Sequence, residues 1–168
     1  LLLLALLGLL AAAAPAPRLE AAPAAPAPAP LERTIDVDGA QRAYLIHVPA
    51  AWDRRAPIAL LFVFHGAGAD AESMVKATGF EAWAETEPTL IVYPRARRAT
   101  KRFDVDGTRT QPGADVRFVD VLLGRLRERF PLDMQRIYAT GFSNGGAFCY
   151  RLAADRRHIA DPWLWQIL

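Results

Sequence analysis

Ser143 stands in Gly141-Phe142-Ser143-Asn144-Gly145, a serine with a glycine two positions to either side. A serine hydroxyl is a weak nucleophile unless it is activated, lifted clear of the backbone and set beside donors for the oxyanion it creates. The G-x-S-x-G spacing does the lifting with a sharp strand-to-helix turn, in which side chains at the two glycines would collide with neighbouring backbone. The apolar run Ile137-Tyr138-Ala139 enters Gly141, and a helix-like stretch from Ala147 to Ala154 follows. The first amides of that helix would face charge developing at the serine. Ser143 is therefore expected to be a nucleophile, exposed at the turn.

A second pattern, His65-Gly66-Ala67-Gly68, directly follows the apolar run Ile58 to Phe64. In proteins built around such an elbow, a loop at that place supplies one oxyanion amide, and the residue after the nucleophile, here Asn144, supplies the other. The small residues Gly66, Ala67 and Gly68 would let backbone approach a carbonyl oxygen, and one such donor is worth about 10²–10³ in rate. The alternative is a Gly-rich turn without catalytic duty; the elbow downstream favours the first reading.

The general base and its acid are not found. This architecture orders its triad Ser, then Asp or Glu, then His. After Ser143 come Asp155, His158 and Asp161, with no further strand pair to carry them back to the site. His158 would sit near the far end of the helix leaving the elbow, roughly 20 Å away at 1.5 Å per residue. His65 belongs to the Gly-rich loop and His47 ends an early strand, so both read as structural. A gene product truncated or shifted in frame after the elbow is the simplest account, and the chain as given is expected to be a poor catalyst.

The elements that must hold these residues follow from periodicity. Thr34–Val37 and Arg42–Val48 read as strands joined by Asp38-Gly39, a strong hairpin-turn signal. Ile58–Phe64 is apolar throughout, as in a strand buried on both faces, and Thr89–Tyr93 is another, closed by Pro94. Ser73–Glu87 reads as helical with a break at Gly79, and residues 94–114 as a long surface loop. From Asp115 the apolar residues Val116, Val119, Leu122, Leu126 and Phe130 fall on one helical face, with Arg125, Glu128 and Arg129 outside it and Pro131 as the stop. Ile137–Ala139 is expected to be the last clear strand. Alternating strands and helices predict an α/β fold, a mostly parallel sheet with an N-terminal antiparallel hairpin and flanking helices.

With 168 residues, the chain is long enough for one domain with a real core. A net charge of only +2 gives no bulk electrostatic reason to expect nucleic acid or a membrane surface as partner. The single cysteine, Cys149, excludes an internal disulfide and a cysteine-rich metal site, and reads as a small buried hydrophobe. Leu1 to Ala14 has signal-peptide length, with an A-x-A cleavage pattern at Ala11 and Ala13; a signal anchor is the alternative. Residues 15–30 alternate Ala and Pro, an extended linker, so residues 31–168 form the folded part. Export, with no stable membrane association once the signal is removed, is the expectation.

Taken in order, Tyr44-Leu45-Ile46-His47-Val48-Pro49, His65-Gly66-Ala67-Gly68, Val92-Tyr93-Pro94, Asp115-Val116-Arg117-Phe118 and Arg136 through Gly146 resemble the polyhydroxybutyrate depolymerase/feruloyl esterase group of secreted α/β-hydrolases, related to the LpqC-type esterases. The resemblance covers roughly residues 33–154, and its elbow is the most specific part. It implies Ser143 as nucleophile, the Ala67 and Asn144 amides as oxyanion hole, small-molecule or polymeric esters as substrates, and no metal or organic cofactor. After Ala154 it fades: Asp161-Pro162-Trp163-Leu164-Trp165 does not look like the expected strand.

Other readings compete. Gly66-Ala67-Gly68-Ala69-Asp70-Ala71 also fits a dinucleotide fingerprint after a strand, with Arg95, Arg97 and Arg98 placed for a cofactor phosphate. It leaves the elbow unexplained, and no acidic residue closes the next strand. The basic run Arg95, Arg97, Arg98, Lys101 and Arg102 reads as a solvated loop face, with contact to an acidic substrate or anionic polymer as the alternative. A non-enzymatic chain, a catalytically dead secreted remnant or ester-binding protein, is the third class.

Overall fold

The computed structural model describes residues 27–106, 113–156 and 165–167. The signal-like segment 1–14, most of the 15–30 linker, His158 and Asp161 lie outside the described residues. Two strands lead in, β1 (Leu31–Val37) and β2 (Ala40–His47), paired antiparallel with Val37 opposite Ala40. Asp38 and Gly39 both have positive φ, 53° and 82°, the two-residue turn whose twist matches that of the strands it joins.

β3 (Ile58–Phe64) is buried along its whole length and occupies the middle of the sheet, between β4 (Thr89–Pro94) and β5 (Leu132–Gly141), both parallel to it. Its alternate side chains divide the core. Leu60, Phe62 and Phe64 face one side with α3 (Ala114–Arg129) and α4 (Asn144–Arg156); Leu61 and Val63 face α1 (Ala71–Thr78) and α2 (Phe80–Thr86). Of the expected α3 stripe, Val116, Val119, Leu122 and Leu126 are buried and Phe118 and Leu123 widen it, while Phe130 is the extended residue that caps the helix and is only partly buried. Each such side chain contributes about 1.5–3 kcal/mol when removed from water. The expected break at Gly79 separates α1 from α2. No helix among the described residues is long and apolar enough to cross a membrane.

Two expectations need correction. Ile137–Ala139 is not the last strand: β5 extends beyond it at both ends, and β6 (Trp165–Ile167) pairs parallel with it, Tyr138 opposite Gln166. The sheet order is thus β1-β2-β4-β3-β5-β6. A three-residue strand is too short to show a period, and its place is set by the open edge of β5 rather than by its own pattern. Nor are residues 94–114 wholly a surface loop. Pro94 is the last residue of β4, and Phe103 is 2% exposed, its ring packed on Phe64 and Phe148 at centroid distances of 5.2 and 5.1 Å.

Cys149 is buried in α4, as its reading as a small hydrophobe required, and burial pushes its thiol up to about 12. Only the thiolate attacks electrophiles. The folded protein is therefore expected to resist iodoacetamide at pH 8 and to react at once in denaturant. Stoichiometric labelling under native conditions would contradict this burial.

Candidate active site

The chain passes from β3 leftward to β4, then back across the sheet to β5. The loops leaving β3 and β5 consequently diverge to opposite faces, and such a switch point opens a crevice at the carboxyl ends of the strands. Phe64 lies level with Gly141 across that edge. Both sequence motifs begin there.

Ser143 occupies the left-handed region, φ 51°, between the end of β5 and the first turn of α4, and it is exposed. The turn is closed by Gly145 N–H donating to the Phe142 carbonyl (2.9 Å) and Ala147 N–H donating to the Ser143 carbonyl (3.0 Å). Phe142 N–H donates to the Phe64 carbonyl at 3.1 Å, pinning the elbow to the end of β3. The glycines are needed for close approach. A Cβ on Gly145 would lie 2.6 Å from the Phe64 carbonyl carbon and 2.7 Å from the His65 oxygen; one on Gly141 would lie 2.6 Å from the Gly145 carbonyl carbon. Backbone cannot yield as a flexible side chain can. Gly145→Ala is expected to lower stability by about 1–3 kcal/mol. Unfolding in urea would measure it, and a change within error would mean that the elbow is free to shift.

The Gly-rich loop meets the elbow. A Cβ on Gly66 would stand 3.1 Å from the Phe142 ring and 3.7 Å from Ser143 Cβ, so this backbone runs beside the serine. Ala67 and Gly68 are exposed at the tip of the turn, and Asn144 opens α4. Asn144 does more than its backbone position suggested. Its side chain is buried, with Oδ1 accepting from Phe103 N–H (2.8 Å) and Nδ2 donating to the Phe103 carbonyl (3.2 Å). That two-pronged bond holds the loop after β4 against the elbow.

His65 is the other clasp. Its Nε2 accepts from Ala96 N–H at 3.1 Å, which assigns the proton to Nδ1, and Nδ1–H donates to the Gly66 carbonyl at 2.8 Å. A neutral ring thus ties the Gly-rich loop to the start of the loop after β4. His47 lies between the Pro28 carbonyl (3.1 Å) and the Glu85 carboxylate (3.0 Å). Both histidines are committed elsewhere, as their structural reading required. Asp155 accepts from Arg151 within α4 at 2.8 Å. None of these residues reaches Ser143, and no base for it is seen among the described residues.

Asp115 entered the sequence reading as the start of a helix and as part of the Asp115-Val116-Arg117-Phe118 run of the resemblance, with no partner assigned. It is 1% exposed and binds Arg42 at 2.5 Å through Oδ1, while Oδ2 accepts from Asp104 N–H at 2.8 Å. Arg42 in turn donates to the Arg95 carbonyl at 3.1 Å and lies 4.2 Å over the Phe118 ring. This buried pair ties β2, α3 and the loop after β4 together behind the site. On the other face, burial and a bond to Glu81 (2.6 Å) push the Tyr93 hydroxyl well above its ordinary range. The dinucleotide alternative finds no support at α1: the Asp70 carboxylate accepts from Ser73 N–H (2.8 Å) and occupies the helix terminus where a diphosphate would sit.

No family model matches the chain. It is 30% identical over 112 residues to a bifunctional acetylxylan esterase/xylanase of Neocallimastix patriciarum, covering 67% of this chain and 16% of that one. To feruloyl esterase D of Neurospora crassa it is 26% identical over 134 residues, covering 73% of this chain and 44% of the relative. The acetyl xylan esterase of Aspergillus awamori superposes with a TM-score of 0.64 at 13% identity, over 74% of this chain and 47% of that structure. The chain therefore spans less than half of the relatives it matches, and within that span its sheet, its elbow and these likenesses place it in the α/β-hydrolase esterase family.

Proposed function

We propose that the chain carries the nucleophile of a carboxylic-ester hydrolase that works through an acyl-serine intermediate. Ser143 Oγ attacks the ester carbonyl, its proton passing to a general base that the described residues do not supply. The negative oxygen of the tetrahedral intermediate is held by the Ala67 and Asn144 amides, and the alcohol departs with a proton. Water then hydrolyses the acyl-serine by the same path. The observation that carries this reading is Ser143 itself, exposed and left-handed at the crevice where the Gly66 loop adjoins it.

The names of the relatives favour acyl or feruloyl esters of a polysaccharide over a polyhydroxyalkanoate. Phe142, 70% exposed beside the serine, offers an aromatic face to a phenolic acyl group. The Leu-rich tract 1–14 and the 15–30 linker accord with export of the folded part from residue 31 onward. No metal or organic cofactor enters the chemistry proposed.

A fluorophosphonate probe tests the nucleophile whatever the natural ester may be. Protein that includes the general base is expected to be labelled on the peptide containing Ser143 and to hydrolyse methyl ferulate or an acetylated xylan oligomer, with the chain as given turning over far more slowly. Labelling at another serine would remove Ser143 from the mechanism. Stoichiometric labelling without turnover of any ester would favour the dead-remnant reading.

A further inference from the structure

We propose that the cleft beside the Gly-rich loop is a subsite for a carboxylate-bearing sugar chain, so that the ester is taken from an acidic polysaccharide. This deepens the esterase reading by naming a substrate class. The cleft has a volume of about 860 Å³ and is lined by His65 and Ala69 of the Gly-rich loop, by the start of β2 and by the turn Arg97–Lys101. Ligand sites commonly fall between about 300 and 1,000 Å³. The cleft adjoins the crevice of Ser143 through consecutive residues: His65 lines the cleft, and Gly66, the next residue, runs beside Ser143.

The charge in this cleft is not balanced. Each acidic group in its wall is already engaged: Glu32 with Arg95 (3.4 Å), Asp38 with Arg117 (3.4 Å), and Asp70 with the first turn of α1. Two of its cations are likewise committed, Arg42 to Asp115 and Arg95 to Glu72 as well as Glu32. Arg97, Arg98 and Lys101 remain, with no acidic partner among the described residues. Five cationic residues (Arg42, Arg95, Arg97, Arg98, Lys101) and three carboxylates (Glu32, Asp38, Asp70) line this concavity, so its wall is net positive, and a concave wall with such an excess concentrates the field that attracts an anion.

The turn that bears them is built to stay in place. Thr100 and Lys101 N–H both donate to the Arg97 carbonyl, at 3.2 and 2.8 Å, and Lys101 sits at φ 47°. At one end Ala96 N–H is held by His65; at the other the Lys101 carbonyl accepts from Gly68 N–H at 2.9 Å. The basic turn therefore hangs from the loop that adjoins the nucleophile. A solvated loop face needs no such suspension. Arginine suits carboxylates in particular, since its planar fork can bind both oxygens at once.

Binding can be read without turnover, so its failure and that of the esterase reading are separable. Full-length protein would be run in native gels containing polygalacturonate or an unsubstituted neutral xylan, at low and high ionic strength. Retention by polygalacturonate alone is expected, with its loss at high salt. Arg97→Gln/Arg98→Gln/Lys101→Gln is expected to weaken it about tenfold, roughly twofold for each exposed cation. The charge-matched Arg54→Gln/Arg55→Gln/Lys76→Gln, away from the cleft, and Ser143→Ala are expected to be retained like the parent. Equal losses in the cleft and control variants, equal retention by single-stranded DNA, or no retention of the parent would each overturn the subsite.

Discussion

In a form of the protein that carries the general base, Ser143→Ala is expected to lower kcat for ester hydrolysis about 10⁶-fold, the scale seen when a serine nucleophile is deleted from a triad. In the chain as given, expected to be a poor catalyst, the loss should be far smaller. The size follows from what is lost. Without Oγ no acyl-enzyme can form, and any residual rate comes from water attacking an ester held by the oxyanion donors, about 10³–10⁴ above the uncatalysed reaction. KM should change little, because the crevice walls, the Gly66 loop and the Phe142 ring stay in place. Alanine keeps the turn, which is closed by backbone bonds alone. Steady-state kinetics on a chromogenic ester, with fluorophosphonate labelling in parallel, are the measurement. A variant retaining a tenth of the parent rate would mean that the nucleophile lies elsewhere.

Asp115→Ala is expected to destabilise the fold by about 3–5 kcal/mol, the usual consequence of stranding one member of a buried ion pair. Arg42 would keep its charge behind the sheet with only the Arg95 carbonyl and the Phe118 ring for compensation, and Asp104 N–H would lose its acceptor. The paired replacement Arg42→Met/Asp115→Leu should recover much of that loss, because two apolar groups leave no buried charge unpaired. Urea unfolding of the three proteins decides it: a single variant within about 1 kcal/mol of the parent would show that water reaches Arg42. Since the same pair anchors the loop after β4, the single variant should also loosen Phe103 over the elbow.

How far the sequence disclosed this can be judged residue by residue. Gly141 and Gly145 were legible because close backbone approach admits no other residue, and Asp38-Gly39 because its turn needs two positive φ angles. β3 and α3 were legible because continuous burial and a one-sided stripe leave their own periods. Phe103 was not. A single apolar residue in a polar run has no period, and its burial depends on a pocket made by the adjacent Phe64 and His65 and by Phe148, two segments distant from it in the chain. Asp115 was hidden for a related reason: an acid near a helix start normally faces water and the helix dipole, and only the fold brings Arg42 to it. Asn144 could be given a backbone role from its position after the serine, but its side-chain bond to Phe103 spans too much chain to be seen in a local pattern. β6 owes its place to an unfilled sheet edge, which no local pattern records.

The left-handed backbone at Ser143 has an evolutionary consequence. A residue with a Cβ held there costs about 1 kcal/mol that glycine would not. Mutation alone, filtered only for folding, would therefore drift toward glycine at this position and gain stability with each such step. A lineage that had stopped using the hydroxyl would feel that pull with nothing to oppose it. Retaining serine in so unfavourable a conformation is what continued selection for its oxygen would produce, and the surplus stability that glycine offers is what an abandoned site would be free to take.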